Sequence, residues 1–301
     1  MTNDDFLTGI YNITPTPFSQ DGSFDEASMR RLVEFMVECG VDGLTILGVL
    51  GEAGKLSEAE RERVIGTAVE AAGERLPVCV GTTHAATRQC IAYSKRAQDL
   101  GARAVMVAPP KLARSNDGAL RRHYLAVAEA IDLPVVVQDH PASSGVYMSV
   151  DFIAALAEEA PSCRFLKLED EPSPPKVSQV LAANPDIRVF GGLGGIMFLE
   201  ELRHGAVGTM TGFAFPEILV QVRRKFLAGD VDGATTLFYH ACPLIRFENQ
   251  KRINLPLRKE IYRRRGLISS ARVRAPYTPL DDGTLEDLDD LLRRLQLKEK
   301  A

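Results

Sequence analysis

The sequence predicts an α/β protein, a closed (β/α)8 TIM barrel followed by a small C-terminal helical region. Three observations predict it. Short apolar runs rich in Val and Ile alternate with stretches of helical spacing from the start of the chain, the pattern of strands buried on both faces and joined by crossover helices. The alternation counts to eight within about 220 residues, which suits a closed barrel better than an open doubly wound sheet. After the eighth strand only helical stretches remain. The barrel is therefore assigned to residues 1–229 and the helical region to residues 230–301. An open Rossmann-like sheet calls for a Gly-x-Gly-x-x-Gly turn after its first strand. The chain has Asn12-Ile13-Thr14-Pro15-Thr16-Pro17 there.

The elements follow in order. Gly9–Pro15 is the first strand, and Asp25–Cys39 has helical spacing and stops at Gly40, a residue that ends helices without steric cost. Gly43–Val49 is the second strand. Ser57–Ala72 opens on Ser-Glu-Ala-Glu, a capping box. Pro77–Gly81 is the third strand, and Ala86–Leu100 is a helix that stops before Gly101. Ala104–Pro109 and Pro134–Asp139 are strands four and five, with helix Gly118–Ile131 between them. Ser149 precedes the helical run Val150–Glu159 as a cap. Arg164–Glu169, Ile187–Gly191 and Gly208–Gly212 complete the eight strands. Pro216–Leu227 reads as the eighth barrel helix, and Val231–Arg246, Leu255–Arg265 and Leu285–Leu295 as the appended helices.

Composition narrows the class of protein. The 301 residues are 45% hydrophobic and 25% charged, enough for one large domain with a sizeable core. A net charge of −4 offers no basic field for nucleic acid. No apolar stretch approaches the length of a membrane span. The acidic start Met1-Thr2-Asn3-Asp4-Asp5 lacks the charged and apolar regions of a signal peptide. The five cysteines, Cys39, Cys79, Cys90, Cys163 and Cys242, form no Cys-x-x-Cys pair and read as small hydrophobes in a reducing cytoplasm. The five histidines are dispersed, with no metal-ligand spacing, so neither metal nor cofactor is expected.

In a (β/α)8 barrel the chemistry sits at the C-terminal ends of the strands. Strand six carries Lys167 inside the apolar run Arg164-Phe165-Leu166-Lys167-Leu168. Burial penalises an ammonium, and a neutral amine is a nucleophile toward carbonyl carbon. The competing role is structural, an ion pair with Glu169 or Asp170. Side chains alternate along a strand, so Lys167 and Glu169 share a face, and Gln138 and His140 share one opposed to Asp139. Strand two ends in Gly48-Val49-Leu50-Gly51-Glu52, a glycine-bracketed turn whose amides can receive a carboxylate or serve only the turn itself. Thr82, Thr83 and His84 after strand three either meet a ligand or pack. Gly191-Gly192-Leu193-Gly194-Gly195 after strand seven allows close backbone approach, to phosphate among other groups, but lacks a Walker lysine.

These residues form an ordered pattern. With Ile13-Thr14-Pro15, Gly51-Glu52, Gly81-Thr82, Pro141, Gly145, Lys167, Gly205-Ala206-Val207-Gly208, Val273-Arg274-Ala275-Pro276 and Thr278-Pro279-Leu280, the chain resembles the dihydrodipicolinate synthase / N-acetylneuraminate lyase family over nearly its whole length. The resemblance implies a homotetramer, a small 2-keto acid as substrate, a Schiff base at Lys167, and a carboxylate held by the backbone near Val49 and Leu50. Departures from the family pattern are equally specific. Val49 and Leu50 replace two hydroxyl residues, Gln138 replaces a proton-shuttling tyrosine, Leu112 replaces a second tyrosine, and Ser143 replaces an arginine. Synthase activity is thereby disfavoured. Gln138 with Lys167-Leu168-Glu169 instead resembles the L-2-keto-3-deoxyarabonate dehydratase branch, and a carboxylate two residues from the lysine on the same face suits acid–base work, directly or through a water held by Gln138. Val49, Leu50, Thr82, Thr83 and Gly192, at the strand ends, are the residues assigned to the substrate. Two other readings are a pyruvate-dependent aldolase of the same family and a barrel that binds keto acids without reacting.

Overall fold

The computed structural model describes residues 6–111 and 116–297, and Leu112 lies outside them. Eight parallel strands close a barrel in sequence order: β1 Gly9–Ile13, β2 Gly43–Ile46, β3 Val78–Gly81, β4 Ala104–Val107, β5 Val135–Asp139, β6 Phe165–Leu168, β7 Arg188–Gly191 and β8 Gly208–Thr211. Parallel neighbours need crossovers, and helices supply them on the outside. They are α1 Glu26–Cys39, α2 Glu58–Ala72, α3 Thr87–Asp99, α4 Asp117–Ala130, the short α5 Pro141–Ser144, α6 Val150–Glu159, α7 Ser173–Ala183, α8 Phe198–Arg203 and α9 Pro216–Leu227. Ser57 and Glu60 form the expected capping box of α2, and Gly40 closes α1 at φ 71°. The strands are one to three residues shorter than the apolar runs: β1, β2, β4, β6 and β8 stop before their runs end at the barrel mouth, and β3, β5, β6 and β7 each start one residue into theirs.

Two cores result from strand alternation. Outward residues such as Val80, Val137, Leu166, Leu168 and Val189 pack under the helices. Inward residues Tyr11, Cys79, Met106, Val136, Phe165, Phe190 and Met210 fill the barrel. Tyr11 meets Phe190 edge-on at 5.7 Å and donates its hydroxyl to Phe6 O. A Cβ at Gly43 would stand 2.3 Å from the Tyr11 ring, so glycine makes room for it. Each buried aromatic of this plug is worth about 1.5–3 kcal/mol of apolar burial. The plug leaves only the upper ends of the strands accessible.

Three helices follow the barrel: α10 Val231–Glu248, α11 Asn254–Arg264 and α12 Asp282–Arg294. Helix α10 packs along α9 and carries both α11 and α12. Helix α11 buries Arg258, Lys259 and Glu260, so charged side chains as well as apolar ones face the protein interior. No helix among the described residues is long and apolar enough to cross a membrane.

Candidate active site

Register places the central residues side by side. Gln138 on β5 is the direct cross-strand partner of Lys167 on β6. Both point inward by the alternation that turns Val137 and Leu168 outward. Glu169 follows β6 on the same side as Lys167. Lys167 is 5% exposed, and its Nζ lies 3.0 Å from Glu169 Oε2. Gln138 Nε2 donates to the same oxygen at 2.7 Å, and Leu193 N donates to Glu169 Oε1 at 3.3 Å. Both carboxylate oxygens are therefore oriented. His140 Nδ1 stands 4.0 Å from Glu169 Oε2 and is bonded to Ser143 Oγ at 2.8 Å. Burial works to raise the Glu169 carboxyl. The Lys167 charge, then His140, then the Gln138 amide outweigh it and hold the carboxyl below its ordinary value.

This amine–carboxylate pair opens into a cavity of ≈ 630 Å³ that also meets the strand-two turn and the C-terminal helices. No tyrosine lines it among the described residues. A second cavity of ≈ 880 Å³ shares the turn and Gln138 and runs outward past Thr83, His84 and Tyr277. Asp139 and Asp170 belong to a different ion group. Both accept from Lys176 Nζ of α7, at 2.7 and 2.8 Å, so neither competes for Lys167.

Backbone strain gathers here. Leu47, Glu52, Leu193 and Arg252 all have positive φ, between 48° and 75°, and all line one or both cavities. For residues with side chains this conformation costs on the order of 1–3 kcal/mol each and clusters where function requires it. Glu52 is held in place by a buried ion group. Its Oε1 accepts from Lys259 Nζ at 2.6 Å, and its Oε2 from Lys55 Nζ at 3.1 Å and Arg274 N at 2.9 Å. The turn's own hydrogen bonds run from Gly51 N to Gly48 O and from Glu52 N to Val49 O. The Val49 and Leu50 amides are not used by them.

The other residues singled out from sequence fall in distinct places. Val49 is 68% exposed at the cavity rim, and Leu50 packs over Gly212, where a Cβ would stand 2.4 Å from Leu50 Cδ1. Thr83 lines the larger cavity and accepts from Ala108 N. Thr82 is turned away: it lines neither cavity, and its hydroxyl is bonded to Ser94 of α3 at 2.9 Å. Gly192 is a spacer for Glu169, since a Cβ there would stand 2.4 Å from Glu169 Cγ. Sequence reasoning did not single out Asn249, Lys251, Arg252, Asn254 and Arg258, which the C-terminal helices bring to the cavity. Their run reads as a solvated charged face, and no local pattern distinguishes it. Among the described residues no group of three or more His, Cys, Asp or Glu is placed to hold a metal ion.

Comparison with known proteins places this geometry. The chain is 34% identical over 292 residues to the L-2-keto-3-deoxyarabonate dehydratase of Azospirillum brasilense, covering 95% of this chain and 94% of that protein. It superposes on the crystal structure of dihydrodipicolinate synthase from Rhodopseudomonas palustris with a TM-score of 0.91 and 36% identity, over 96% of this chain and 98% of that one. It superposes equally well, TM-score 0.91 at 26% identity over 97% and 99% of the two chains, on YagE, a prophage protein of E. coli K12 from the dihydrodipicolinic acid synthase family, in complex with pyruvate. The family model matches residues 6–295. On these grounds the chain belongs to the dihydrodipicolinate synthetase family.

Proposed function

We propose that this protein is a Schiff-base-forming dehydratase of a 2-keto-3-deoxy sugar acid, with L-2-keto-3-deoxyarabonate as substrate and 2-oxoglutarate semialdehyde as product, working in the cytoplasm as a homotetramer. One observation carries the reading. The buried amine of Lys167 lies 3.0 Å from a carboxylate that Gln138 and Leu193 hold in position, in a cavity that no tyrosine lines among the described residues. The resemblance to the Azospirillum brasilense dehydratase supports the choice of substrate.

The chemistry follows from that arrangement. Glu169 accepts a proton from Lys167 and frees the amine. The amine adds to the C2 carbonyl, and the proton held by Glu169 leaves with the C2 oxygen as water, which restores the carboxylate and gives an iminium that acts as an electron sink. Carboxylate Glu169 then removes a C3 proton, directly or through a water positioned by Gln138. The same proton leaves with the C4 hydroxyl as water. Loss of a C5 proton and protonation at C3 give an enol across C4 and C5; protonation at C4 with loss of the enol O–H proton yields the aldehyde, and hydrolysis of the iminium releases product and Lys167. Aldol cleavage instead needs a base on the C4 hydroxyl. Gln138, which has no titrating proton, occupies the strand-five position beside Lys167.

Incubation with 2-keto-3-deoxyarabonate and identification of the products tests the proposal. A semialdehyde with loss of one water is expected. Pyruvate plus an aldehyde would establish an aldolase, and binding without a reducible adduct would establish a silent barrel.

A further inference from the structure

Arg258 sits in the middle of α11, is 3% exposed, and lines the same cavity as Lys167. Burying a guanidinium is costly, and it persists where the charge is paired or used. Its protein partners are few and long. Nε donates to Glu248 Oε2 at 3.3 Å, and Nη2 to Asn249 Oδ1 at 3.4 Å. A guanidinium carries five N–H donors in a planar fork, so most of the fork is uncommitted. Nη1 has no protein acceptor among the described residues, yet it is not among their sealed, unpartnered atoms. It therefore meets the cavity. Its counter-ion is also a weak one. Burial pushes the Glu248 carboxyl up to about 7 against the pull of Arg258 and Ala214 N, which leaves the positive charge of Arg258 incompletely balanced.

The position of Arg258 says what it serves. A Cβ at Gly212, just past β8, would stand 2.4 Å from Leu50 Cδ1 and 3.5 Å from Arg258 Cδ. The stem of Arg258 and the side chain of Leu50 thus both flank Gly212 in the cavity wall. In this turn Val49 and Leu50 offer a ligand amides but no hydroxyls. Amides alone bring no full charge to a carboxylate, whereas a guanidinium does.

We infer that Arg258 is the charged half of the substrate carboxylate site: its guanidinium, with the Val49 and Leu50 amides, holds the C1 carboxylate of the 2-keto acid whose C2 carbonyl meets Lys167. The inference rests on the keto-acid reading of the cavity proposed above. It also ties recognition to catalysis. Asn249, which accepts from Arg258, donates Nδ2 to Leu193 O at 2.9 Å, and Leu193 N donates to Glu169. One short segment thereby orients both the carboxylate-binding arginine and the acid–base residue.

The test measures the half-saturating concentrations of pyruvate and its uncharged isostere pyruvamide for borohydride trapping on the full chain. Three proteins are compared: wild type, Arg258→Lys, and the double variant Arg258→Met with Glu248→Leu. The double variant removes the buried pair together, so neither charge is left stranded. For it, the pyruvate value is expected to rise about 10- to 100-fold, the worth of a charge-assisted hydrogen bond, while pyruvamide stays within about twofold. Arg258→Lys is expected to fall between, keeping the charge but losing the fork. Equal losses for both probes would make Arg258 a purely structural residue, and an unchanged preference for pyruvate would place the carboxylate on the turn alone. Either result overturns the inference. If wild type itself traps no pyruvate, the keto-acid reading fails, and the inference fails with it.

Discussion

Glu169→Gln keeps the shape of the side chain and removes its ability to exchange a proton. In the structure the Glu169 carboxylate accepts from Lys167, from Gln138 at 2.7 Å and from Leu193 N at 3.3 Å. An amide can preserve part of that geometry but cannot take the C3 proton or return it to the departing hydroxyl. Losing general acid–base help costs about 10²–10⁴ in rate, or roughly 2.7–5.5 kcal/mol of barrier. Turnover of 2-keto-3-deoxyarabonate, followed by formation of 2-oxoglutarate semialdehyde, is expected to fall by that factor. Lys167 remains, so the borohydride-trapped pyruvate adduct is expected to reach wild-type yield at long incubation, formed more slowly because the amine has lost Glu169 as its proton acceptor. The split between the two assays is the informative quantity. Near-normal dehydration would return Glu169 to the role of a structural ion-pair partner. A parallel loss of trapping and turnover would mean that Glu169 serves only to hold Lys167.

Further outcomes are expected. Gln138→Ala lowers dehydration less than Glu169→Gln, measured in the same assay, because it only positions a water or the carboxylate. Gly192→Ala places a Cβ 2.4 Å from Glu169 Cγ; a crowded site of this kind costs about 1–3 kcal/mol of stability, and denaturant melts together with a drop in turnover should register it. Glu201 sits behind β7, sealed by burial with one oxygen on Ser173, and burial pushes its carboxyl up to about 7. The unfolded chain releases that proton near the ordinary value, so the stability tied to it is complete below the unfolded pKa and is lost as pH rises through about 7. Glu201→Gln should flatten the decline in unfolding free energy from about pH 5 to about pH 8 by up to roughly 3 kcal/mol, and an unchanged slope by denaturant titration would refute the assignment. Light scattering at micromolar concentration is expected to give a tetramer's mass; a monomer's mass would contradict that part of the proposal.

The barrel was legible because two periodicities coexist in the sequence. Val- and Ile-rich strands with turn residues at their ends alternate with capped helices, and the capping box at Ser57 and the stop at Gly40 lie where local chemistry put them. Helix α7 was harder to read because it opens on Ser173-Pro174-Pro175; prolines fit a first turn, where backbone N–H groups have no helical partner. Strand parity paired Lys167 with Glu169 from sequence alone, the family resemblance added Gln138, and the register of the folded barrel sets Gln138 beside Lys167. The same parity, applied to β3, turns Thr82 outward. Cys79 faces the barrel and Val80 the helices, so Thr82 follows Val80 toward Ser94, and Thr83 follows Cys79 toward the cavity. Arg258 and Lys259 were not legible as site residues. Their partners Glu248 and Glu52 stand 10 and 207 residues away in sequence, and only the folded chain brings α11 across the barrel mouth. A helix whose charges meet acids outside it has, in sequence, the pattern of a helix in water.

The most direct measurement is the site of the covalent adduct. Incubation of the intact protein with pyruvate and borohydride, followed by digestion and peptide mass analysis, is expected to show one reduced adduct, on Lys167, with activity lost in proportion. Lys167→Ala is expected to fold and take up none. An adduct on Lys55, Lys111 or another lysine, or no adduct in wild type, would contradict the account.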